Sequence, residues 1–368
     1  MNKSVPFFNY PSLFNQHEEK LTEIFKNVSS SGAFIMQSEL SSFEEKIANY
    51  CNVKYAIGVG NATDALQMLM MAGGISQGDE VIFCSHTMVA TASAIHYSGA
   101  KPIPIEVADD HLIDIDAIEN AITDKTRAIC PTQLNGRVAN MDRIIKISEK
   151  YDLQIYEDSA QALGAKFKDQ FAGSFGMGGC ISFYPAKILG CFGDGGAILC
   201  NDSDIANKLR LMRDHGRDEH GDIPIWGFNS RLDNLQAAFL NYFFDDYQNT
   251  IDRRRELAEL YNSYLKDINE VILPEPPSEN TDHFDVFQNY EIQANDRDRL
   301  KFFLQEKGIG TLIQWGGVPV HQFKKLGFDQ NLPKTDELFE KFLMIPLNLS
   351  LSDSDVEYVC SHIREFYS

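Results

Sequence analysis

The chain has 368 residues, 43% of them hydrophobic, with 53 acidic against 33 basic side chains and a formal net charge of -20. This acidic excess argues against non-specific nucleic-acid binding, and the length allows one large core or two domains. Seven cysteines without paired spacing argue against a disulfide framework. No apolar run approaches the length of a membrane span and the N-terminus lacks a signal-peptide pattern, so we expect a cytoplasmic protein.

The first two thirds of the chain alternate between helix and strand patterns. Residues 16–50 are predicted to be mostly helical, 54–59 form a strand, and a helix with apolar positions 62, 65, 66, 69 and 70 follows. Repeated strand–helix units predict an α/β fold with a mostly parallel sheet between helices, whose ligands bind beyond the carboxyl ends of the strands. The further strands are predicted at 80–84, 101–107, 127–131, 153–158 and 196–200, and the helices at 89–99, 116–122 and 141–151.

The C-terminal third has a different pattern. Residues 231–265 predict one long helix that connects two domains, and the composition changes after P-E-P-P at 274–277. Beyond it we predict a strand at 284–292, a helix at 297–308, a strand at 311–315 and a last helix capped by Ser352 and Asp355. The division is predicted as a large domain over 1–250, including the N-terminal helical segment, and a small α+β domain over 251–368.

The junction after the first strand indicates an anion site. Gly58 and Gly60 precede a helix whose first turn offers free backbone N–H groups, and Thr63 adds a hydroxyl. A dinucleotide site is the weaker alternative, because the third glycine of G-x-G-x-x-G is missing and Asp79 and Glu80 precede the next strand instead of ending it. A cup for a single phosphate fits better.

One lysine, Lys187, stands between a short apolar strand and a glycine-rich turn. Its neighbours Ala186, Ile188 and Leu189 reduce its hydration, which lowers the pKa of the amine and favours a nucleophile. A lysine that snorkels at a loop is the alternative. Asp158 ends an apolar strand, where it could also cap a helix. A lysine, a carboxylate and an anion cup are together the three groups that a pyridoxal phosphate site needs.

Four motifs follow one another in the chain: G-N-A-T-D-A-L (60–66), E-D-S-A-Q-A-L-G-A (157–165), S-F-Y-P-A-K (182–187) with G-D-G-G-A (193–197), and G-F-N-S-R-L-D-N-L-Q-A-A (227–238). Together they resemble those of the DegT/DnrJ/StrS family of sugar aminotransferases. The resemblance implies the aspartate-aminotransferase fold (fold type I), a homodimer with shared active sites, and transfer of an amino group from glutamate to a keto-sugar. In the family this sugar is usually carried on a nucleotide diphosphate, and a 3- or 4-keto-deoxysugar would serve amino-sugar biosynthesis for lipopolysaccharide O-antigen or a natural product.

The resemblance also implies a role for single residues. Lys187 would form the Schiff base and move the proton, Asp158 would pair with the pyridine nitrogen, and Gln161 would contact the ring hydroxyl. Met88 stands where the family usually has an aromatic residue that stacks on the ring. The remaining cofactor residues would be Ala62, Thr63 and Ser182 at the phosphate, with Asn229 reaching it from the neighbouring subunit and Arg231 beside it.

Departures from the family pattern fall near the expected substrate pocket. Gln314 and Trp315 replace a His-Tyr pair, P-T-Q-L-N-G (131–136) replaces P-V-H-L-Y-G, and His321 keeps its position, with a surface histidine as the alternative. Arg231, Gln314, Trp315 and His321 are therefore the candidate substrate residues; no metal is expected. Two alternatives of function remain: a sugar 3-dehydratase of the same fold, in which histidine replaces the lysine, and a non-catalytic regulatory or sensory relative.

Overall fold

The computed structural model describes residues 3–277 and 282–368. The helices are α1 (Tyr10–Ser31), α2 (Ser38–Tyr50), α3 (Ala62–Ala72), α4 (Val89–Tyr97), α5 (Ile115–Ala121), α6 (Met141–Tyr151), α7 (Ser203–Met212), α8 (Asn234–Phe244), α9 (Tyr247–Leu265), α10 (Arg297–Glu306), α11 (Pro333–Lys341) and α12 (Asp353–Tyr367). The strands are β1 (Tyr55–Val59), β2 (Glu80–Cys84), β3 (Lys101–Ile105), β4 (Thr126–Cys130), β5 (Gln154–Ile155), β6 (Glu157–Asp158), β7 (Lys166–Phe167), β8 (Gln170–Phe171), β9 (Gly179–Ser182), β10 (Gly196–Cys200), β11 (Val271–Ile272), β12 (His283–Phe284), β13 (Tyr290–Ala294) and β14 (Phe342–Ile345).

The central sheet has two halves that meet at Tyr156. One half has the order β3-β2-β4-β5, with parallel pairing throughout, and the other has the order β1-β10-β9-β6. Strands β5 and β6 are separated by Tyr156 alone, and a parallel bridge between Thr132 and Asp158 joins the halves. Strand β10 pairs antiparallel with both neighbours, whereas β6 and β9 are parallel. The mostly parallel sheet expected from the sequence is confirmed.

Both faces of this sheet are buried, and the alternation of side chains along each strand decides which core a residue enters. In β2, Ile82 packs into one core, whereas Val81 and Phe83 pack into the other. In β4, Ile129 and Ala128 separate in the same way. A strand with apolar residues at every position is typical of a sheet covered by helices on both sides, which is why these segments read as continuous hydrophobic runs.

The C-terminal part forms a third core around the antiparallel sheet β11-β13-β14. Tyr261 of α9, Tyr290 of β13 and Val359 of α12 are buried in it. The N-terminal segment joins this part as well, because Val5 pairs with Ile309. The expected cap of the last helix is confirmed: the backbone N–H of Ser352 donates to the carboxylate of Asp355 over 2.9 Å.

Three predictions about the C-terminal third are wrong. The strand over 284–292 is not one element, because β12 ends at Phe284 and β13 begins at Tyr290. The single helix over 231–265 is two helices, α8 and α9, that are separated at residues 245–246. The strand over 311–315 is absent: Leu312 makes one bridge to Met344, and Gln314–Gly317 form a 3-10 turn. Trp315 and Gly316 have positive φ there, and the Gly-Gly pair that follows Trp315 favours such a turn over a strand.

The proposed domain division stays a prediction. Its boundary at residues 250–251 lies inside α9, where Ile251 packs into a core of the central sheet and Leu257 packs into the C-terminal core. The seven cysteines are buried and unpaired, as expected from their spacing. In the described ranges, no helix combines the length and the apolar character needed to cross a membrane.

Candidate active site

The carboxyl ends of the parallel strands meet at one edge of the central sheet, and the predicted site residues collect there. His86 follows β2, Gln133 follows β4, Asp158 ends β6 and Ser182 ends β9. Strands β1 and β9 both pair antiparallel with β10, so β1 and β9 run in the same direction. The turn that leads from β1 into α3 therefore lies at the same edge. Residues separated by 100 positions in the chain are therefore neighbours for the reason that the strand–helix alternation predicted.

The residues predicted for the anion cup are the first turn of α3, with Ala62 and Thr63, and Ser182 at the end of β9. The Asn61 side chain caps this helix by accepting the backbone N–H of Asp64 over 2.8 Å. Ser182 lies opposite Gly196 in the ladder between β9 and β10. A Cβ on Gly196 would lie 2.5 Å from the backbone carbon of Asn61 and 2.8 Å from the nitrogen of Ala62, so glycine allows the helix end to approach the strand.

Asp158 is buried, at 7% exposure, beneath this edge of the sheet. Its Oδ2 accepts the hydroxyl of Thr91 over 2.6 Å, and its Oδ1 accepts the backbone N–H of Ala160 over 3.2 Å. Thr91 in turn is bonded to Thr87, whose hydroxyl accepts that of Thr132 over 3.1 Å. The sequence analysis missed these three threonines, and they leave the carboxylate with a fixed orientation.

Lys187 is half-buried in the loop between β9 and β10, at the wall of a cavity of about 570 Å³. Burial lowers the pKa of its amine to about 8, although the carboxylate of Asp158 acts in the opposite direction. The amine is therefore partly neutral near physiological pH, which a snorkelling lysine at the surface would not be. The prediction of a depressed pKa from the apolar neighbours agrees with this environment.

Gln161 belongs to an amide network, which we define as Asn135, Gln161, Asn289 and Gln314. The Gln161 oxygen accepts the backbone N–H of Asn135 over 2.9 Å and the side chain of Asn289 over 3.3 Å. The Gln161 amide nitrogen donates to Gln314 over 3.3 Å, and Gln314 donates to Asn135 over 2.9 Å. Gln314, a predicted substrate residue, is thus 4% exposed and lies behind Gln161.

A buried carboxylate, Glu291, anchors the amide network. It accepts bonds from Gln314 over 2.8 Å and from Nδ1 of His111 over 2.7 Å. Burial alone would raise the pKa of Glu291, but the nearby His86 ring and these donors outweigh it and lower the pKa to about 2. Burial lowers the pKa of His86 to about 4, so this ring is neutral at pH 7. Glu291 had no signal in the sequence beyond its position in a strand.

The remaining predicted residues are more dispersed. Met88 precedes α4 and is 52% exposed, and Trp315 packs edge-on against His86 with ring centroids 5.5 Å apart. Asn229 is exposed, and Arg231 donates to Asp214 over 2.6 Å.

The alternative of a surface histidine at position 321 is wrong, because His321 is 2% exposed. Its ring bonds to Ser85 over 2.8 Å and lies 3.0 Å from the carboxylate of Asp336. Both of its ring nitrogens therefore have partners within the protein, and it connects the end of β2 to α11.

Comparison with known proteins identifies the family of this chain. Residues 15–364 match the model of the DegT/DnrJ/EryC1/StrS aminotransferase family. The chain belongs to this family. It is 34% identical to the dTDP-3-amino-3,4,6-trideoxy-alpha-D-glucose transaminase of Streptomyces venezuelae, over 98% of this chain and 96% of that protein. It is 35% identical to a protein of Geobacillus stearothermophilus named pleiotropic regulatory protein, over 99% of both chains.

A solved structure agrees with the fold of this family member. The crystal structure of S. venezuelae DesV in complex with a ketimine intermediate superposes with a TM-score of 0.94 at 34% identity, covering 99% of each chain. The expected fold class, α/β of the aspartate-aminotransferase type, and the expected enzyme class, an aminotransferase, are both confirmed.

Proposed function

We propose that this aminotransferase uses pyridoxal phosphate to move an amino group from glutamate to a keto-sugar carried on a nucleoside diphosphate. The observation that carries the proposal is the convergence of Lys187, Asp158 and the anion cup at one edge of the sheet. A nucleophilic amine, a fixed carboxylate and a cradle of backbone N–H groups are the binding requirements of this one cofactor. Relatives named for transamination of dTDP- and UDP-linked amino sugars support the choice of substrate.

The residues present fit the cofactor. The approach of α3 to Gly196 leaves a cradle that any Cβ would fill, and Ala62, Thr63 and Ser182 would hold the phosphate there. Asp158 would hold the ring nitrogen in its protonated form, and Gln161 would contact the ring hydroxyl. Pyridoxal phosphate, when bound, would carry the amino group and withdraw electrons from the carbon that loses a proton.

The contribution of the chain to the chemistry is proton transfer and orientation. A lysine with a pKa of about 8 exchanges protons near neutral pH, so Lys187 can act as the general acid and base once its amine is free. Thr91 fixes the carboxylate of Asp158, and the amide network fixes Gln161. Both partners in each of these bonds belong to the protein, so binding energy is not needed to form them.

The keto-sugar and its carbon are the finest part of the proposal. Gln314 and Trp315 replace the family's His-Tyr pair. The Gln314 side chain accepts a hydrogen bond from Gln161 and donates one to Glu291. We assign Trp315 the direct contact and Gln314 an indirect one, with Arg231 and His321 as the remaining candidates. A 3- or 4-keto-deoxysugar for lipopolysaccharide O-antigen or a natural product is the proposed class.

The proposed assembly is a cytoplasmic homodimer with shared sites. Asn229 is exposed and would reach the phosphate of the second copy. Several large hydrophobic side chains are exposed, which a second copy would cover: Tyr10, Phe14, Phe34, Tyr184 and Phe192. Size-exclusion chromatography with light scattering measures the assembly.

Both alternatives of function lack a supporting feature in the site. A sugar 3-dehydratase of this fold would carry histidine at the position of Lys187, and a regulator without catalysis would have no need of the buried Asp158–Thr91 pair. The Geobacillus stearothermophilus relative carries a regulatory name, so the experiment includes the inactive variant Lys187→Ala.

The proposal is tested on the purified full-length protein. Added pyridoxal phosphate should give Schiff-base absorbance, glutamate should remove it, and one member of a panel of nucleotide-linked 3-keto and 4-keto sugars should be aminated, as measured by mass spectrometry. Absence of the absorbance would overturn the cofactor assignment. Loss of absorbance with glutamate but no aminated sugar would overturn the substrate class alone.

A further inference from the structure

Gln288, just before β13, has its side chain bonded on both sides of Lys187. Its amide nitrogen donates to the backbone oxygen of Ala186 over 2.8 Å, and its amide oxygen accepts the backbone N–H of Ile188 over 2.9 Å. The side chain is 7% exposed, so these bonds are shielded from water. One amide thus holds the two peptide groups that flank the lysine.

The loop around Lys187 depends on this amide. The backbone N–H of Lys187 bonds to Tyr184 over 2.8 Å, and that of Cys191 bonds to Phe183 over 2.8 Å. Between these two bonds, the Ala186 oxygen and the Ile188 N–H bond to the Gln288 side chain and not to backbone groups of a helix or a strand. Because buried peptide groups need partners, the position of the Gln288 amide decides how the loop can lie.

Gln288 is itself fixed by a buried cation. Arg254 of α9, 6% exposed, donates to the backbone oxygens of Phe287 over 2.8 Å and of Gln288 over 2.7 Å. Burial lowers the pKa of Arg254 to about 10, so it remains charged at neutral pH. The next residue, Asn289, bonds to Asn135 and to Gln161. This dipeptide therefore connects α9 both to the lysine loop and to the amide network.

We propose that Gln288 is a positioning residue for Lys187: it fixes the backbone on both sides of the lysine and so holds the half-buried amine beside Asp158. The inference rests on the proposed role of Lys187. Without these bonds the loop can move and water can reach the amine, so the amine becomes more basic and less often correctly placed.

Charged and titratable side chains surround Lys187 on the sheet and along the cavity. Asp158 and Cys180 act on it from the sheet. The other charged and titratable side chains that line the same cavity are His17, Asp245, Asp246 and Arg254, together with Tyr10, Tyr242 and Tyr247. Replacing Gln288 by leucine neither adds nor removes a charged group around Lys187. A change in the pKa of the Lys187 amine therefore reports a change in the position of the loop.

The test measures the basicity of Lys187 in the full-length protein before pyridoxal phosphate is added. The pH dependence of its acetylation by acetic anhydride, followed by mass spectrometry of its peptide, gives the pKa of this one amine. In Gln288→Leu, which loses both bonds, we expect the midpoint to rise by about one unit, so that the neutral fraction at pH 8 falls several-fold. With cofactor and substrates, kcat should fall about 10- to 100-fold while KM for the keto-sugar changes little.

Two further variants keep the result interpretable. Gln288→Asn keeps the uncharged amide, with its donor and its acceptor, on a side chain shorter by one methylene, and should lose less kcat than Gln288→Leu, even where the leucine variant folds poorly. Gln236→Leu is the matched control. The Gln236 side chain, on α8, accepts the backbone N–H of Phe192 over 2.9 Å, and Phe192 lies in the same loop as Lys187 but five residues beyond it. It should leave the Lys187 profile unchanged.

Two results would overturn the inference. One is an unchanged titration of Lys187 in Gln288→Leu and Gln288→Asn; the other is an equal shift in Gln236→Leu, which would indicate general loosening of the loop. A failure of the proposed function looks different. Wild-type protein would then give no Schiff-base absorbance with pyridoxal phosphate, while the acetylation of Lys187 would still report on Gln288.

Discussion

The anion cup and the amide network serve the same proposed ligand, but they are built in opposite ways. The cup uses backbone groups of one strand–turn–helix unit beside Ser182, and its key requirement is that Gly196 lacks a side chain. The network uses side chains from segments far apart in the chain, and its requirement is that every amide finds its partner. A backbone-built site fails by steric intrusion, whereas a side-chain-built site fails by loss of one bond.

The largest effect is expected at Lys187, which both regions surround. Lys187→Ala removes the nucleophile and the general base, so transamination should fall by at least ~10³-fold while the fold is kept. Steady-state kinetics and circular dichroism measure the two quantities. Lys125→Ala, an exposed residue at the start of β4, is the control and should retain full activity. Substantial activity in Lys187→Ala would refute its role.

The cup is broken most directly by Gly196→Ala. Its Cβ would meet backbone atoms of Asn61 and Ala62 at 2.5 to 2.8 Å, so the helix end must shift. We expect a loss of about 1–3 kcal/mol in unfolding free energy and a tenfold or greater loss of affinity for pyridoxal phosphate. Gly193→Ala is the matched control, because its Cβ would meet only Gln236, at 3.4 Å. Equal affinity in both variants would contradict the steric account.

The network is tested through the acid stability of Glu291. Its pKa is depressed from 4.5 to about 2, so its stabilisation is fully present above pH 4.5 and is lost as the pH falls toward 2. Glu291→Gln should therefore lower the unfolding free energy by about 1–3 kcal/mol at pH 6, where His111 and Gln314 donate to the carboxylate, and this cost should shrink on acidification. Urea unfolding at a series of pH values measures it. Glu119→Gln, at an exposed ion pair of α5, should cost little at any pH.

The smallest effect is expected at Met88, which belongs to neither region. Replacing it by phenylalanine exchanges a thioether contact for a ring contact of similar strength, about 0.5–1.5 kcal/mol. The dissociation constant of pyridoxal phosphate, from an absorbance titration, should change by less than tenfold. Met88→Ala, which leaves the ring face uncovered, should weaken binding more. Identical constants in all three proteins would place Met88 away from the ring.

The sequence alone determined the features that depend on local pattern. Strand–helix alternation predicted the parallel sheet and the edge where ligands bind, and Gly58 and Gly60 at the end of β1 indicated the cup. The apolar neighbours of Lys187 predicted that the pKa of its amine is lowered, and burial in the structure lowers this pKa to about 8. These inferences succeed because the responsible forces, burial and backbone geometry, act between residues close in the sequence.

Only the tertiary structure decided which remote side chains meet. It divided the predicted helix over 231–265 into α8 and α9, and it turned the predicted strand at Gln314 into a 3-10 turn. It also joined Gln314 to Gln161, and it bonded the Gln288 side chain to the peptide groups on both sides of Lys187. No spacing rule predicts these contacts, because they depend on how the C-terminal core packs on the central sheet, and a glutamine can bond to any exposed or buried peptide group within reach.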